Sequence, residues 1–445
     1  MNIRARLKIA PIVALLCCQG LAARQDQINS GTSRTGPPIV RLALPEFRAT
    51  PAGDKGEKLA KVFNDTLWAD LDFSGNIELS SRSFYPVGTF AVPGDIKPED
   101  WTKPGVAAQY VAYGAITLNN NRFAATGRLR DLGAQQDPIA SNFPGPNDED
   151  ASARIAAHNF ADRILEQLGF GKGIYRTQIA FVSDRGGNKE IYVMDYDGSN
   201  PHKITAIGSI AITPSWSPVD DRIAFTGWRS QPQIEIISAS GGRQSFSQAT
   251  GVANSVPAWS PDGKSIVYSS ARDGGTEIYL ADADGRNPKR LTNSPGIDTS
   301  AVFNPATGRR IAFVSQRSGS PQIYTMSSDG TDVQRITDEG GDAENPAYSP
   351  DGKMIAFAWQ KSDSKSGFDI FLYDITSQKF TQLTANAGAD ERPTWAPDGK
   401  HIAFQSNRSG SNQIYSMTLD GKKVLQLTNT RGINEGPTWS GYATP

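Results

Sequence analysis

A unit of about 44 residues recurs from Ile179 to the C-terminus, and few folds accommodate such a repeat. One of its elements reads Pro-x-aromatic-Ser-Pro: "PSWSP" at Pro214, "PAWSPDG" at Pro257, "PAYSPDG" at Pro346, "PTWAPDG" at Pro393, "PTWS" at Pro437 and a degenerate "AVFNPATG" at Ala301. A second, "IAF" or "IVY", stands at Ile179, Ile223, Ile266, Ile311, Ile355 and Ile402, with spacings of 44, 43, 45, 44 and 47 residues. An "IY"-like pair (Ile191, Ile234, Ile278, Ile323, Ile370, Ile414) and an "LT"-like pair (Ile204, Phe246, Leu291, Ile336, Leu383, Leu427) hold the same phase. Four short apolar segments per unit, one every eleven or so residues, have the rhythm of antiparallel strands.

The turns agree with strands. In "SPDGK", Pro supplies the fixed φ of a type I turn and Gly the positive φ that closes a hairpin. A second Gly turn ("YDGSN", "ADGRN", "SDGTD", "LDGKK") follows the third segment. Four-stranded units repeated at this period predict a β-propeller whose blades bury their faces against one another. The first "IAF", at Ile179, has no "PxWS" before it, and the last "PxWS", at Pro437, has no "IAF" after it. Pairing "PTWS" with "QIAFVS" at Gln178 makes six complete blades and leaves no open sheet edge at the join.

Ahead of the repeat, residues 37–170 read as a small α/β domain and 171–445 as the propeller, giving a mainly β chain. "PIVRLALPEF" reads as one strand, and residues 56–75 as a helix with Leu59, Val62, Phe63 and Leu67 on one face. "IELSS", "YVAYGAITL" and "RFAATGRLRD" read as strands, and residues 148–170 as a closing helix with Ile155, Phe160, Ile164 and Leu168 inward. Residues 1–23 carry Arg4, Arg6 and Lys8 before a short apolar run and are expected to be a cleaved secretory signal, with 24–36 a polar, flexible tail. Acylation at Cys17 or Cys18 is disfavoured because Leu16 or Cys17, and no small residue, precedes the cysteine.

Both cysteines fall in that leader, so the remaining chain holds no disulfide, thiol nucleophile or cysteine ligand. Losing three cations changes the formal charge from −1 to −4 without any run of like charge, which gives no support to nucleic acid or an anionic membrane as a main partner. His158, His202 and His401 are far apart, no Gly-x-Ser-x-Gly elbow occurs, and "ARDGGTEI" at Ala271 only approaches an Asp box. No catalytic residue, metal or cofactor is therefore assigned.

Binding is the better reading. The stretch leading into each "PxWS" segment is polar or acidic: Asn254 and Ser255, Asp298 and Thr299, Glu344 and Asn345, Asp390, Glu391 and Arg392, Asn434 and Glu435. Ring closure brings these positions to one face around the channel, a candidate docking surface for a protein. Trp216, Trp259, Tyr348, Trp395 and Trp439, at a fixed repeat phase, are assigned to the blade cores. A propeller enzyme (hydrolase or lyase) using loop carboxylates and a small-ligand sensor are the alternatives.

Nearly all of the chain after the leader resembles the TolB family of periplasmic Tol-Pal system proteins. The likeness is carried by "LALPEF", "WADLDFSGNIELSSR", "GIYRTQIAFVSDR", "YVMDYDGSNPHKIT" and "PAWSPDGKSIVY". It implies a non-catalytic monomer that binds a Pal-like peptidoglycan-associated lipoprotein through its propeller. It also implies communication with TolA-like inner-membrane protein through the segment from Arg24 to about Pro38, in support of outer-membrane integrity and cell division. Membranes would then be met only through partners.

Overall fold

The computed structural model describes residues 39–442 apart from 121, 148, 339, 363–366 and 386; the expected leader and tail lie outside the described residues. The N-terminal layer contains strands β1 (Val40–Ala43), β2 (Arg48–Thr50), β3 (Ile77–Leu79), β4 (Tyr110–Asn119), β5 (Arg122–Asp131) and β6 (Gln136–Pro144). Its helices are α1 (Asp54–Phe73), α2 (Pro98–Thr102) and α3 (Asp150–Gln167). The sheet order is β3-β1-β4-β5-β6, with β2 beside β4. Asp54 and Glu57 favour the start of α1, and Gly75, at φ 72° just beyond its last residues, ends it. Helices α1 and α3 cover one sheet face through Leu59, Phe63, Leu67, Ala157, Phe160 and Ile164.

One local expectation is trimmed and one corrected. The strand in "PIVRLALPEF" is the short β1, which ends at Ala43, ahead of Pro45 with no N–H to give a ladder; β2 begins only at Arg48, beyond that stretch. Ile155 is 43% exposed, because five residues at about 100° each place it roughly 140° around α3 from the buried Phe160. The inward positions are taken by small residues, Ala153, Ala156 and Ala157, which let α3 approach the sheet closely.

Residues 178–439 form six four-stranded sheets. Blade 1 joins Asn434–Trp439 to Gln178–Ser183, Glu190–Asp195 and His202–Lys203, in register Trp439↔Ile179 and Asn434↔Ser183. Blades 2 to 6 begin at Ile210, Asn254, Asp298, Asp342 and Asp390. The ring therefore closes as its half-motifs required. Ser440 N donates to Gln178 O at 2.9 Å and Trp439 Nε1 to Thr177 Oγ1 at 2.8 Å, sealing the join.

The fourth strands are short and mostly polar, and the "LT" pair lies just beyond them. Its threonine is a latch. Thr205, Thr292, Thr337, Thr384 and Thr428 each accept the N–H of the third-strand isoleucine, Ile191, Ile278, Ile323, Ile370 or Ile414, at 2.8–3.0 Å. In blade 2 Gln248 does the same work, accepting from Ile234 N at 3.1 Å and donating to Ile234 O at 3.0 Å. The glycines of the second turn are required twice over. Gly198, Gly285 and Gly330 have φ of 83–95°, and a Cβ there would sit 2.2–2.5 Å from the carbonyl oxygen of Leu427, Ser247 or Leu291 in the preceding blade.

The layer and the ring share one hydrophobic cluster, which includes Phe73, Ile174, Tyr175, Tyr196, Ile414 and Trp439. Polar clamps at the end of α1 reinforce it. Lys400 Nζ donates to Asn76 Oδ1 (2.8 Å) and Phe170 O (2.9 Å), Lys423 Nζ to Asp72 O (2.6 Å), and His401 bridges Asp398 Oδ2 and Phe73 O at 2.7 Å each. Asp70, fully buried, meets His158 Nδ1 at 2.8 Å and the Tyr196 hydroxyl, while its carbonyl accepts from Tyr175 at 2.7 Å.

Beside that group, Asp162 Oδ1 is buried without a hydrogen-bond partner. Burial, and then the charge of Asp70, raise its pKa to about 7. A carboxyl with a raised folded pKa binds more protons folded than unfolded, so its penalty grows as pH rises from about 4 to 7 and is complete above. Asp162→Asn should therefore raise the melting temperature at pH 8, by a few kcal/mol of stability at most, and change it little at pH 4. A scan at both pH values checks this; equal changes would show that the carboxylate is not the cause.

Candidate partner-binding face

The inner strand of every blade carries the same irregularity. Its pairing slips ahead of the "PxW" element, and the residue at the slip has positive φ: Thr213, Val256, Ser300, Asn345, Arg392 and Gly436, at 51–59°. Such a bulge adds a residue and turns the strand locally. These six residues and the two following each line a cavity of about 220 Å³ at one end of the channel. The clamps to α1 lie on the turns at the opposite end of the strands, in blades 1 and 6, so among the described residues the N-terminal layer leaves this mouth uncovered.

The bulge sorts the candidate residues into three classes. Asn254, Asp298, Asp390 and Asn434 are 0% exposed and cannot meet a partner, a correction to their place on the docking surface. Their side chains are spent inside the blade. Asp390 takes both oxygens to Arg408 Nη2 at 2.9 Å, Asp298 accepts from Arg317 at 2.8 Å, and Asn434 is held by Gln413, Thr430 and Arg185 at 2.9–3.1 Å. Asn254 makes only long contacts to Gln248 and Val252, 3.4 and 3.3 Å. The arginines belong to a recurring Ser-x-Arg: Arg185, Arg272, Arg317 and Arg408 each lie 4.7–5.0 Å over a third-strand tyrosine. That pattern is visible in "VSDR", "SSAR", "VSQR" and "QSNR" and could have flagged the buried acids.

One residue on, Ser255, Thr299, Glu344, Glu391 and Glu435 are half-buried, with Ile212 as the blade 2 counterpart. Thr299 bonds Ser269 at 3.0 Å, Gln405 donates to Glu391 at 2.6 Å, and Lys189 pairs with Glu435 at 2.5 Å. The glutamates come from blades 5, 6 and 1, which are consecutive, so the negative charge forms an arc and not the full ring that the repeat suggested. Burial, then Glu391 and Asp342, hold the Glu344 carboxyl above the ordinary range, opposed by Arg392. The bulge residues Asn345 and Arg392 line the channel itself. Gly436, the bulge residue of blade 1, lies beside Arg392 and is favoured there by its φ of 59°.

Sequence reasoning missed the apolar part of this rim. Ile210 and Trp228 face each other across blade 2 and are 41% and 43% exposed, and Ile297, before blade 4, is 45% exposed. The signal was "FTGWRS", where four of the other blades have a serine two residues before the arginine. An acidic arc with an exposed tryptophan on the neighbouring blade suits a protein partner with a basic patch beside an apolar one. Among the described residues no group of three His, Cys, Asp or Glu side chains could hold a metal ion.

A family model described as the TolB beta propeller domain matches residues 165–365 and 338–443. The Tol-Pal system protein TolB of Desulfosudis oleivorans is 32% identical over 295 residues, 64% of this chain and 65% of that protein. That of Bordetella pertussis is 33% identical over 324 residues, 62% and 69% of the two chains. The matches thus span about two thirds of these relatives. The crystal structure of TolB from Acinetobacter baumannii superposes with a TM-score of 0.76 at 26% identity, over 91% of this chain and 97% of that one.

Proposed function

The chain belongs to the TolB beta-propeller family, and from that premise we propose that it is a non-catalytic, exported periplasmic scaffold of a Tol-Pal system. In this reading the open channel mouth docks a Pal-like lipoprotein, and the N-terminal segment serves a TolA-like inner-membrane protein, together maintaining the outer membrane and supporting division. The observation that carries it is the arc of Glu344, Glu391 and Glu435 at an uncovered mouth whose neighbouring blade offers Trp228. Steering by the carboxylates would set encounter rate and specificity, and the tryptophan would supply an anchor.

The test is capture from a periplasmic extract with the chain from Arg24 as bait, followed by titration of the purified partner. A Glu344/Glu391/Glu435 triple alanine variant should weaken binding at least tenfold, and Trp228→Ala by about tenfold. These residues are half-buried or exposed, so the variants should still melt cooperatively. Unaltered capture by the folded triple variant would discard the face and keep the function. Capture of no protein at all would reject the scaffold reading.

A further inference from the structure

From Ser83 to Gly94 the sequence, "SFYPVGTFAVPG", has no charged residue. Among the described residues, the three most exposed large apolar side chains all lie in it: Phe84 at 53%, Val87 at 105% and Val92 at 55%. Exposed apolar residues scattered singly need no explanation, but three in one stretch of twelve do.

The stretch is held in this shape. Tyr85 and Phe90 both pack on the fully buried Trp101, with ring centroids 5.2 and 5.1 Å away. The Tyr85 hydroxyl donates to Ser80 O at 2.8 Å and accepts from Leu44 N at 3.0 Å, and Gly114 N donates to Phe90 O at 3.0 Å. Asp95 Oδ2 accepts from Ala91 N and Val92 N at 2.8 and 2.9 Å, and Arg130 donates to Pro93 O at 3.3 Å. Two anchored legs carry an apolar tip that cannot fold back on the core, an Ω-type excursion with a fixed base. Val87, exposed beyond an ordinary free valine, sits at the crest between Tyr85 and Phe90.

We propose that residues 83–94 form a knuckle that touches a lipid bilayer, inserting Phe84, Val87 and Val92 among anionic headgroups. A convex apolar tip matches a deformable apolar layer; a protein would have to supply a preformed socket. Charge agrees with a lipid surface. The tip is bracketed by Arg82 and Lys97, both exposed, and the single acid between them, Asp95, is occupied by backbone N–H groups. Arg82 is held by Trp68, 4.1 Å from the ring, Glu46 at 3.6 Å offsets part of its charge, and Glu99 and Asp100 follow Lys97, so the apolar tip contributes the larger share. The contact is independent of the propeller mouth and adds a direct membrane contact to a chain expected to reach membranes only through partners.

The test is co-sedimentation of the chain from Arg24 with vesicles of phosphatidylethanolamine and phosphatidylglycerol, against phosphatidylcholine alone. The wild type should sediment with the anionic vesicles, and Val87→Asp and Phe84→Ser should each lower the partition coefficient about tenfold with unchanged melting temperature. Because no cysteine follows Cys18, a Val87→Cys variant accepts one environment-sensitive dye at the tip. A blue shift on anionic vesicles supports the contact. Absence of wild-type sedimentation, equal sedimentation of the variants, or a blue shift with periplasmic proteins but none with vesicles would overturn it, the last assigning the knuckle to a protein.

Discussion

Deleting residues 437–445 should lower the melting temperature by about 10–20 °C and make the protein prone to self-association. The deletion removes the buried Trp439, its bonds to Thr177 and Thr394, and half of the ladder to Gln178–Ser183, the pairs Thr438↔Ala180 and Trp439↔Ile179. Truncating one buried tryptophan costs about 3–5 kcal/mol, and the lost strand adds to it. Each kcal/mol is worth about 2–4 °C in a domain of this size. The unpaired edge of "QIAFVS" then becomes a template for another chain. Differential scanning calorimetry with light scattering reads both effects, and an unchanged midpoint would mean that the ring is held without its clasp.

The second large effect is expected at Asp70. Its carboxylate joins α1 to His158 of α3 and to Tyr196 of blade 1, with 0% exposure. Asp70→Ala leaves a buried phenol and a buried imidazole without their acceptor, at a cost of about 3–5 kcal/mol. Asp70→Asn keeps the volume and one acceptor oxygen and should cost less. Because the group ties the N-terminal layer to the ring, the loss should appear in urea melts as earlier release of that layer, detected by protease sensitivity after residue 170. A change below about 1 kcal/mol would show that the shared hydrophobic cluster and the lysine and histidine clamps hold the two together without Asp70.

The architecture was legible because the repeat is a physical constraint at several scales. Period gave blade number, the Asp-Gly turns gave hairpins, and the two half-motifs gave the join between Pro437 and Gln178. The site was legible only to the level of the segment. Asp298 and Thr299, or Asp390 and Glu391, look alike as neighbours in a polar run, yet a bulge and an arginine 18 or 19 residues later bury the first and leave the second half-exposed. Such a clamp acts across a hairpin and leaves no mark in local composition. Ile155 was misplaced for the opposite reason: large apolar side chains were counted, and the alanines that define the packed face of α3 were not. The knuckle escaped because a surface loop rich in valine and phenylalanine has no periodicity to read.

The join also ties the binding face to the order of synthesis. Glu435, one end of the acidic arc, lies in the strand of the ring that is synthesised after all its others, and its partner Lys189 lies in the first blade. A chain interrupted anywhere before that strand lacks both the closed ring and a third of the arc's carboxylates. If the mouth is the docking face, binding requires the closed ring, and a chain that stops short of this strand would offer a partner neither the ring nor the whole arc.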